Sequence, residues 1–198
     1  MATVSKLILA SASPRRQELL RDLGIPFRAI PSLIEEDLRQ GEGPEEHVMR
    51  LCEAKARDVA QRYPEHWVIG ADTIVFAQGT ILGKPKTSQE ARGMLEALQG
   101  RAHEVYTGIC VLRLAPEQST KRVVRTAVHF RTLSREEMDW YIRTGEPFDK
   151  AGSYAVQGYG GVFVRAIEGS YSNVVGLPVT ELVEMLRDVG AWDLFNGS

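Results

Sequence analysis

The segment Trp67-Val68-Ile69-Gly70-Ala71-Asp72-Thr73-Ile74-Val75-Phe76 constrains this chain more than any other. It is a largely apolar run with the length and composition of a strand, and it carries one carboxylate in its middle. Around it, strand and helix patterns are mixed rather than strictly alternating. Residues 6–10, 27–30, 103–112, 122–132 and 162–167 read as further strands. Gln78-Gly79 reads as a hairpin turn back to Ile81-Leu82. Helices are expected from Pro14 to about Leu23 with Gly24 behind it, from Pro44 to about Gln61, from Ser88 to Gly100, from Ser134 to about Thr144, and from Pro178 to about Gly190. Ser134 with Glu137 forms a capping-box pattern. This mixture points to an α/β or α+β fold with a mixed sheet flanked by helices.

With 198 residues, 43% hydrophobic and 25% charged, the chain can bury one sizeable core and is expected to be ordered, as a single domain over 1–198. A formal net charge of −2 argues against a broadly cationic surface for a nucleic-acid polymer. No apolar run approaches the roughly 18 residues of a membrane helix. The start, Met1 to Lys6 followed by Leu7-Ile8-Leu9-Ala10, loosely mimics a signal peptide, but its apolar stretch is far short of the roughly 7 to 15 residues required. A cytoplasmic location is expected. Cys52 and Cys110 sit in apolar patterns and read as core thiols. The histidines show no zinc-ligand spacing.

Four places put polar residues where structure alone would not place them, and such places are candidate functional sites. In Ser11-Ala12-Ser13-Pro14-Arg15-Arg16, Ser13 suits an N-cap and Pro14 a first helical position. Two arginines in the first turn then oppose the helix dipole. Either an anion lies among them and the backbone N–H groups, which would make a phosphate cradle, or they are solvated surface charges. Lys55 falls within the helical stripe Val48, Leu51, Cys52 and Val59. Its head either snorkels to water or points into a cleft that holds anions. A methionine of similar length suits that stripe, so Lys55→Met is expected to leave the fold intact.

Asp72 is the third place. Removing a carboxylate from water costs several kcal/mol unless a cation or hydrogen-bond donors replace its hydration. A metal ion, a raised pKa or hydrogen bonds from a neighbouring loop would each answer that cost. Lys84, in Gly83-Lys84-Pro85, follows the hairpin and can return to the same sheet edge. The acidic cluster Glu35-Glu36-Asp37 is the fourth place. It is either a solvated loop or a source of ligands for a hard cation such as Mg²⁺. Taken together, these residues supply cations for phosphate oxygens, carboxylates for a metal, and a base for water. The chain has neither a Walker A pattern nor a G-x-G-x-x-G. A G-x-S-x-G elbow is also missing.

These segments resemble the Maf nucleotide pyrophosphatases over nearly the whole chain, from Leu9 to about Leu186. The carriers are Leu9-Ala10-Ser11-Ala12-Ser13-Pro14-Arg15-Arg16, Glu35-Glu36, Glu53-Ala54-Lys55-Ala56, Gly70-Ala71-Asp72-Thr73 and Gly83-Lys84-Pro85. In the C-terminal half they are Asp149-Lys150-Ala151-Gly152-Ser153-Tyr154, Val156-Gln157-Gly158 and Val174-Val175-Gly176-Leu177-Pro178. The pattern around Lys150 and Gln157 is similar to the branch acting on dTTP and UTP, rather than the sister branch acting on 7-methyl-GTP. The resemblance implies an elongated mixed α/β fold of Maf/ITPase-like type, a divalent cation (Mg²⁺ or Mn²⁺), a nucleoside triphosphate substrate, and a homodimer. It implies that Asp72 is the catalytic proton acceptor; Glu36, alone or together with Asp72, is the expected metal ligand, and the sequence does not separate the metal and base roles of Asp72. It places Arg15, Thr73 and Gln157 at specificity positions, and Ser11, Arg16, Lys55 and Lys84 at other active-site positions. Two alternatives stay open: modified nucleotides as the main substrates, and a nucleotide-binding regulator of septum formation whose hydrolysis is incidental.

Overall fold

The computed structural model describes residues 6–192; the signal-peptide-like start at 1–5 and the tail at 193–198 lie outside them. In chain order the elements are β1 (Leu7–Leu9), α1 (Pro14–Asp22), β2 (Arg28–Ala29), α2 (Pro44–Arg62), β3 (Trp67–Ala77), β4 (Thr80–Leu82), α3 (Ser88–Leu98), β5 (Ala102–Leu114), β6 (Glu117–Phe130), α4 (Arg135–Arg143), β7 (Val164–Glu168), α5 (Tyr171–Val175) and α6 (Val179–Asp188). The sheet has seven strands in the order β2-β1-β3-β5-β6-β7, with β4 beside β3. β1 runs parallel to β2 and β3, whereas β4 is antiparallel to β3 and β7 antiparallel to β6. The sheet is therefore mixed, as the pattern of elements predicts.

Local chemistry explains most of the boundaries. Pro14 and Pro44 open α1 and α2, where a missing N–H costs nothing. At α4 the capping box is complete: Ser134 Oγ accepts from the Glu137 N–H at 3.3 Å, and Glu137 Oε2 accepts from the Ser134 N–H at 2.8 Å. Ser13 differs from expectation. Its side chain caps nothing, and its own N–H donates to Ser11 Oγ at 3.2 Å. β5 and β6 extend beyond their apolar patterns into a long hairpin, because their outer ends are exposed on the sheet and need no apolar alternation. α5 is too short to show a helical period in the sequence.

The residues fall into two compact units. The first holds the described residues of Met1–Asp72, Thr107–Val124 and Gly176–Ser198; the second holds Thr73–Tyr106 and Arg125–Val175. In the first unit, strand alternation divides the core by face. Leu7, Leu9, Trp67, Ile69, Ala71, Ile109 and Val111 pack with Leu20 of α1 and with Leu182, Met185 and Leu186 of α6. Ile8, Ala10, Val68, Cys110 and Leu112 point the other way, onto Cys52, Ala56, Val59 and Ala60 of α2. Both cysteines are buried free thiols, as expected. The second unit has its own core, built from Val75 and Ala77 of β3, Leu95 and Leu98 of α3, Tyr141 and Ile142 of α4, and Phe130 and Phe163.

Two glycines decide how closely α2 lies on the sheet. A Cβ on Gly70 would drive into the Cys52 carbonyl oxygen and approach Ala56 N to 2.8 Å. A Cβ on Gly108 would likewise meet the Val48 carbonyl. The helix backbone thus rests directly on β3 and β5, which brings side chains of α2 within reach of β3.

Candidate active site

On β3, Val68, Gly70 and Asp72 share a face by the two-residue period, and that face is covered by α2. On α2, His47, Leu51 and Lys55 lie four residues apart on one side, the side turned to the sheet. The two periods bring Lys55 and Asp72 together. Lys55 Nζ donates to Asp72 Oδ1 at 2.7 Å, and both residues are buried, 7% and 4% exposed respectively. The same ammonium lies 2.7 Å from Glu36 Oε1, whose side chain is half exposed. Lys55 therefore does not snorkel outward. It is a buried cation held between two carboxylates.

A second ionic group adjoins this one. His47 is buried, and its Nε2 lies 4.0 Å from Asp72 Oδ2. Its Nδ1 is bonded to Glu42 Oε2 at 2.9 Å. Arg50 clamps Glu42 with Nε on Oε1 at 2.5 Å and Nη2 on Oε2 at 2.6 Å, and also reaches the Asp37 carbonyl at 2.9 Å. Hydrogen bonding by Arg50 holds the Glu42 carboxyl down at about 2, against the opposing effect of burial. Glu42, His47 and Arg50 are not among the residues that sequence patterns single out. Glu42 looks like a loop residue beside glycines, and His47 a lone polar residue near a helix start.

Arg16 departs from the simple cradle reading. Its Nε donates to the Gly176 carbonyl at 2.7 Å, and its Nη1 to the Ala71 carbonyl at 3.0 Å and to Ser11 Oγ at 3.2 Å. Two main-chain acceptors thus take up an arginine that the helix dipole disfavours, with no anion needed for that purpose. Burial pulls the Arg16 pKa down, and the fields of Asp72 and Glu36 partly restore it. Ser11 is buried and accepts from both Arg16 and the Ser13 N–H. Arg16 so ties the strand–helix loop and the turn at Gly176 to Ala71, the residue before Asp72.

Asp72, Lys55, Glu36, Arg16 and Ser11 are thus assembled in the first unit; Arg15 lies in the first turn of α1 and is partly exposed. A family model described as Maf-like protein matches residues 6–189.

This chain belongs to the Maf family.

It is 51% identical over 186 residues to the dTTP/UTP pyrophosphatase of Syntrophus aciditrophicus, covering 94% of this chain and 91% of that protein. It is 52% identical over 191 residues to the protein of the same name from Geotalea uraniireducens, covering 96% and 98%. Among solved structures, the Ham1 protein of Staphylococcus aureus is similar at a TM-score of 0.41 and 14% identity, covering 63% of this chain and 71% of that one.

Thr73, Lys84 and Gln157 belong to the second unit. Thr73 follows Asp72 on β3, and Lys84 is exposed after the β3–β4 hairpin. The Gly152 N–H donates to the Gly83 carbonyl at 3.0 Å, which joins the lysine–alanine–glycine–serine turn to the residue before Lys84. Gln157 is partly exposed and precedes the tight turns at 158–163. Those turns hang on Glu146, a residue the sequence does not mark. Its carboxylate accepts from Tyr159 N and Gly160 N, each at 3.0 Å, and from the Tyr141 hydroxyl at 2.9 Å. Three donors on one carboxylate tie the segment that follows Gln157 to Tyr141 of α4.

Proposed function

We infer that this Maf-family chain hydrolyses dTTP and UTP to the monophosphate and pyrophosphate. The observation that carries the reading is the buried Lys55 ammonium between Asp72 and Glu36, in a chain about half identical, nearly end to end, to proteins named dTTP/UTP pyrophosphatase. Water attacks the α-phosphorus. A new P–O bond forms, the bond from the α-phosphorus to the bridging oxygen breaks, and pyrophosphate leaves. Asp72 takes the proton of that water. Lys55, Arg16 and Lys84 bind phosphate oxygens and offset the charge that grows on the leaving group. Ser11 supports the loop before α1. Arg15, Thr73 and Gln157 select the base, Gln157 offering an acceptor and two donors to the edge of uracil or thymine. Residues of both units serve one activity in this reading, since the family match covers both, and we treat 1–198 as a single functional domain.

The donor set suits a hard divalent cation. Two carboxylates converge on the Lys55 ammonium, with Arg16 in the field of both, and a triphosphate brings several negative charges more. Glu36, with Asp72, would hold Mg²⁺ or Mn²⁺. Bound there, the ion would neutralise phosphate oxygens and withdraw charge from phosphorus. No helix among the described residues is long and apolar enough to cross a membrane. A cytoplasmic homodimer completes the reading, supported by the family resemblance. The test is release of pyrophosphate from a panel of nucleoside triphosphates. Turnover of dTTP and UTP above the purine triphosphates is expected, and a panel with no pyrophosphate released would refute the assignment.

A further inference from the structure

The trio of Glu42, His47 and the partly exposed Arg50 has no part in the activity as stated so far, yet it ends on Asp72. Glu42 keeps 4% of its side-chain surface, and both its oxygens are engaged by Arg50, one of them also by His47. A carboxylate clamped in this way is an acceptor only. The 2.9 Å bond to this acceptor, shorter than the 3.4 Å approach of Arg50 Nη2 to the same nitrogen, puts the proton on Nδ1 of the imidazole. In the neutral ring this leaves Nε2 as a lone-pair acceptor, and Nε2 is the nitrogen that faces Asp72. The 4.0 Å from Nε2 to Asp72 Oδ2 is too long for a hydrogen bond. A single water about 2.8 Å from each atom would span it, with an angle at the water of about 90°, close to that between its two O–H bonds. The other Asp72 oxygen is occupied by Lys55.

We propose that His47 is the second acceptor for the attacking water, held in the required tautomer by Glu42 and Arg50. The inference rests on the pyrophosphatase reading above. A water that donates one hydrogen to Asp72 and the other to His47 cannot rotate freely, and its lone pairs are turned away from both acceptors, open to phosphorus. In the step itself the proton moves to Asp72 as the P–O bond forms. His47 gains no proton and serves only to aim the water. Restricting the nucleophile to one orientation should change kcat more than KM, because bound substrate is not touched.

Two measurements on the full chain test this. The first is a long-range ¹H–¹⁵N correlation spectrum of the histidine rings, with the His47→Gln spectrum identifying the His47 signals. The wild type should show Nδ1 protonated and Nε2 bare; a bare Nδ1 would overturn the proposal without any assay. The second is steady-state hydrolysis of dTTP. His47→Leu should lose about 10- to 100-fold in kcat with KM within about twofold, in the range of one positioning contact. His47→Gln, whose amide oxygen keeps an acceptor there, should recover part of the loss. Should the leucine variant melt early, His47→Gln and Glu42→Gln carry the test. The Glu42 variant can donate to Nδ1, so it should move the ring proton to Nε2 and lower kcat while His47 stays in place. An unchanged kcat in His47→Leu, beside an active wild type, overturns this inference and leaves the pyrophosphatase reading standing. A wild type that releases no pyrophosphate from dTTP or UTP refutes both.

Discussion

Replacing Lys55 by methionine separates two readings of the same residue. From the apolar stripe of α2, methionine is an equal or better fit, and the fold should hold. The structure reverses that expectation, because the ammonium is the counter-charge of Asp72, which is 4% exposed. Removing one partner of a buried ion pair strands the other, at a cost of about 3 to 5 kcal/mol. In a chain of this size each kcal/mol moves the thermal midpoint by about 2 to 4 °C. Lys55→Met should therefore melt roughly 6 to 20 °C below the wild type in metal-free buffer. Glu36 adds little to this, since its side chain is half exposed and can turn to water. Asp72→Asn in the same chain removes the stranded charge and should return most of the lost stability, while leaving the double variant inactive. The assay is calorimetric unfolding of the wild type, the single variant and the double variant. A Lys55→Met protein that melts with the wild type would refute the pairing argument and restore the stripe reading.

Three further outcomes are expected. EDTA should abolish pyrophosphate release, with Mg²⁺ or Mn²⁺ restoring it; full turnover in chelated buffer would remove Glu36 and Asp72 from a metal role. Gly70→Ala should lift α2 from β3, cost about 1 to 3 kcal/mol as overpacking, and cut turnover through the displacement of Lys55. Wild-type stability and rate in that variant would show that α2 does not need the close approach. Gln157→Glu should reduce the preference for UTP and dTTP over GTP by about 5- to 150-fold, because a carboxylate repels the base carbonyl that the amide would serve. An unaltered ratio of kcat/KM values would exclude Gln157 from base selection.

Much of this protein can be read along the chain, because the information is local and periodic. The two-residue alternation in β3 places Asp72 on the same face as Val68, and the helical stripe places Lys55 on the side of α2 that is buried. Pro14, Pro44 and the Ser134–Glu137 pair set helix starts by chemistry confined to one turn. The family motifs likewise mark Ser11, Arg16, Glu36, Lys84 and Gln157. Other features depend on distances that no periodicity encodes. That Lys55 faces Asp72 and Glu36 together, rather than water, follows only once α2 lies on Gly70 and Gly108. The motif marks Arg16 as an anion ligand, but not that it also donates to the carbonyls of Ala71 and Gly176, which come beside it from far along the chain. Glu42 and Glu146 pass for ordinary surface acids in a linear reading. The folding back of the loop onto the start of α2 gives one of them His47 and Arg50, and the turns after α4 give the other a hydroxyl and two backbone N–H groups, contacts within fifteen residues that no period reveals. The physical reason is common to all of these. An apolar residue is told where to go by its own solubility, which composition and period reveal. A buried charge is tolerated only where particular partners converge, and those partners are brought together by the fold.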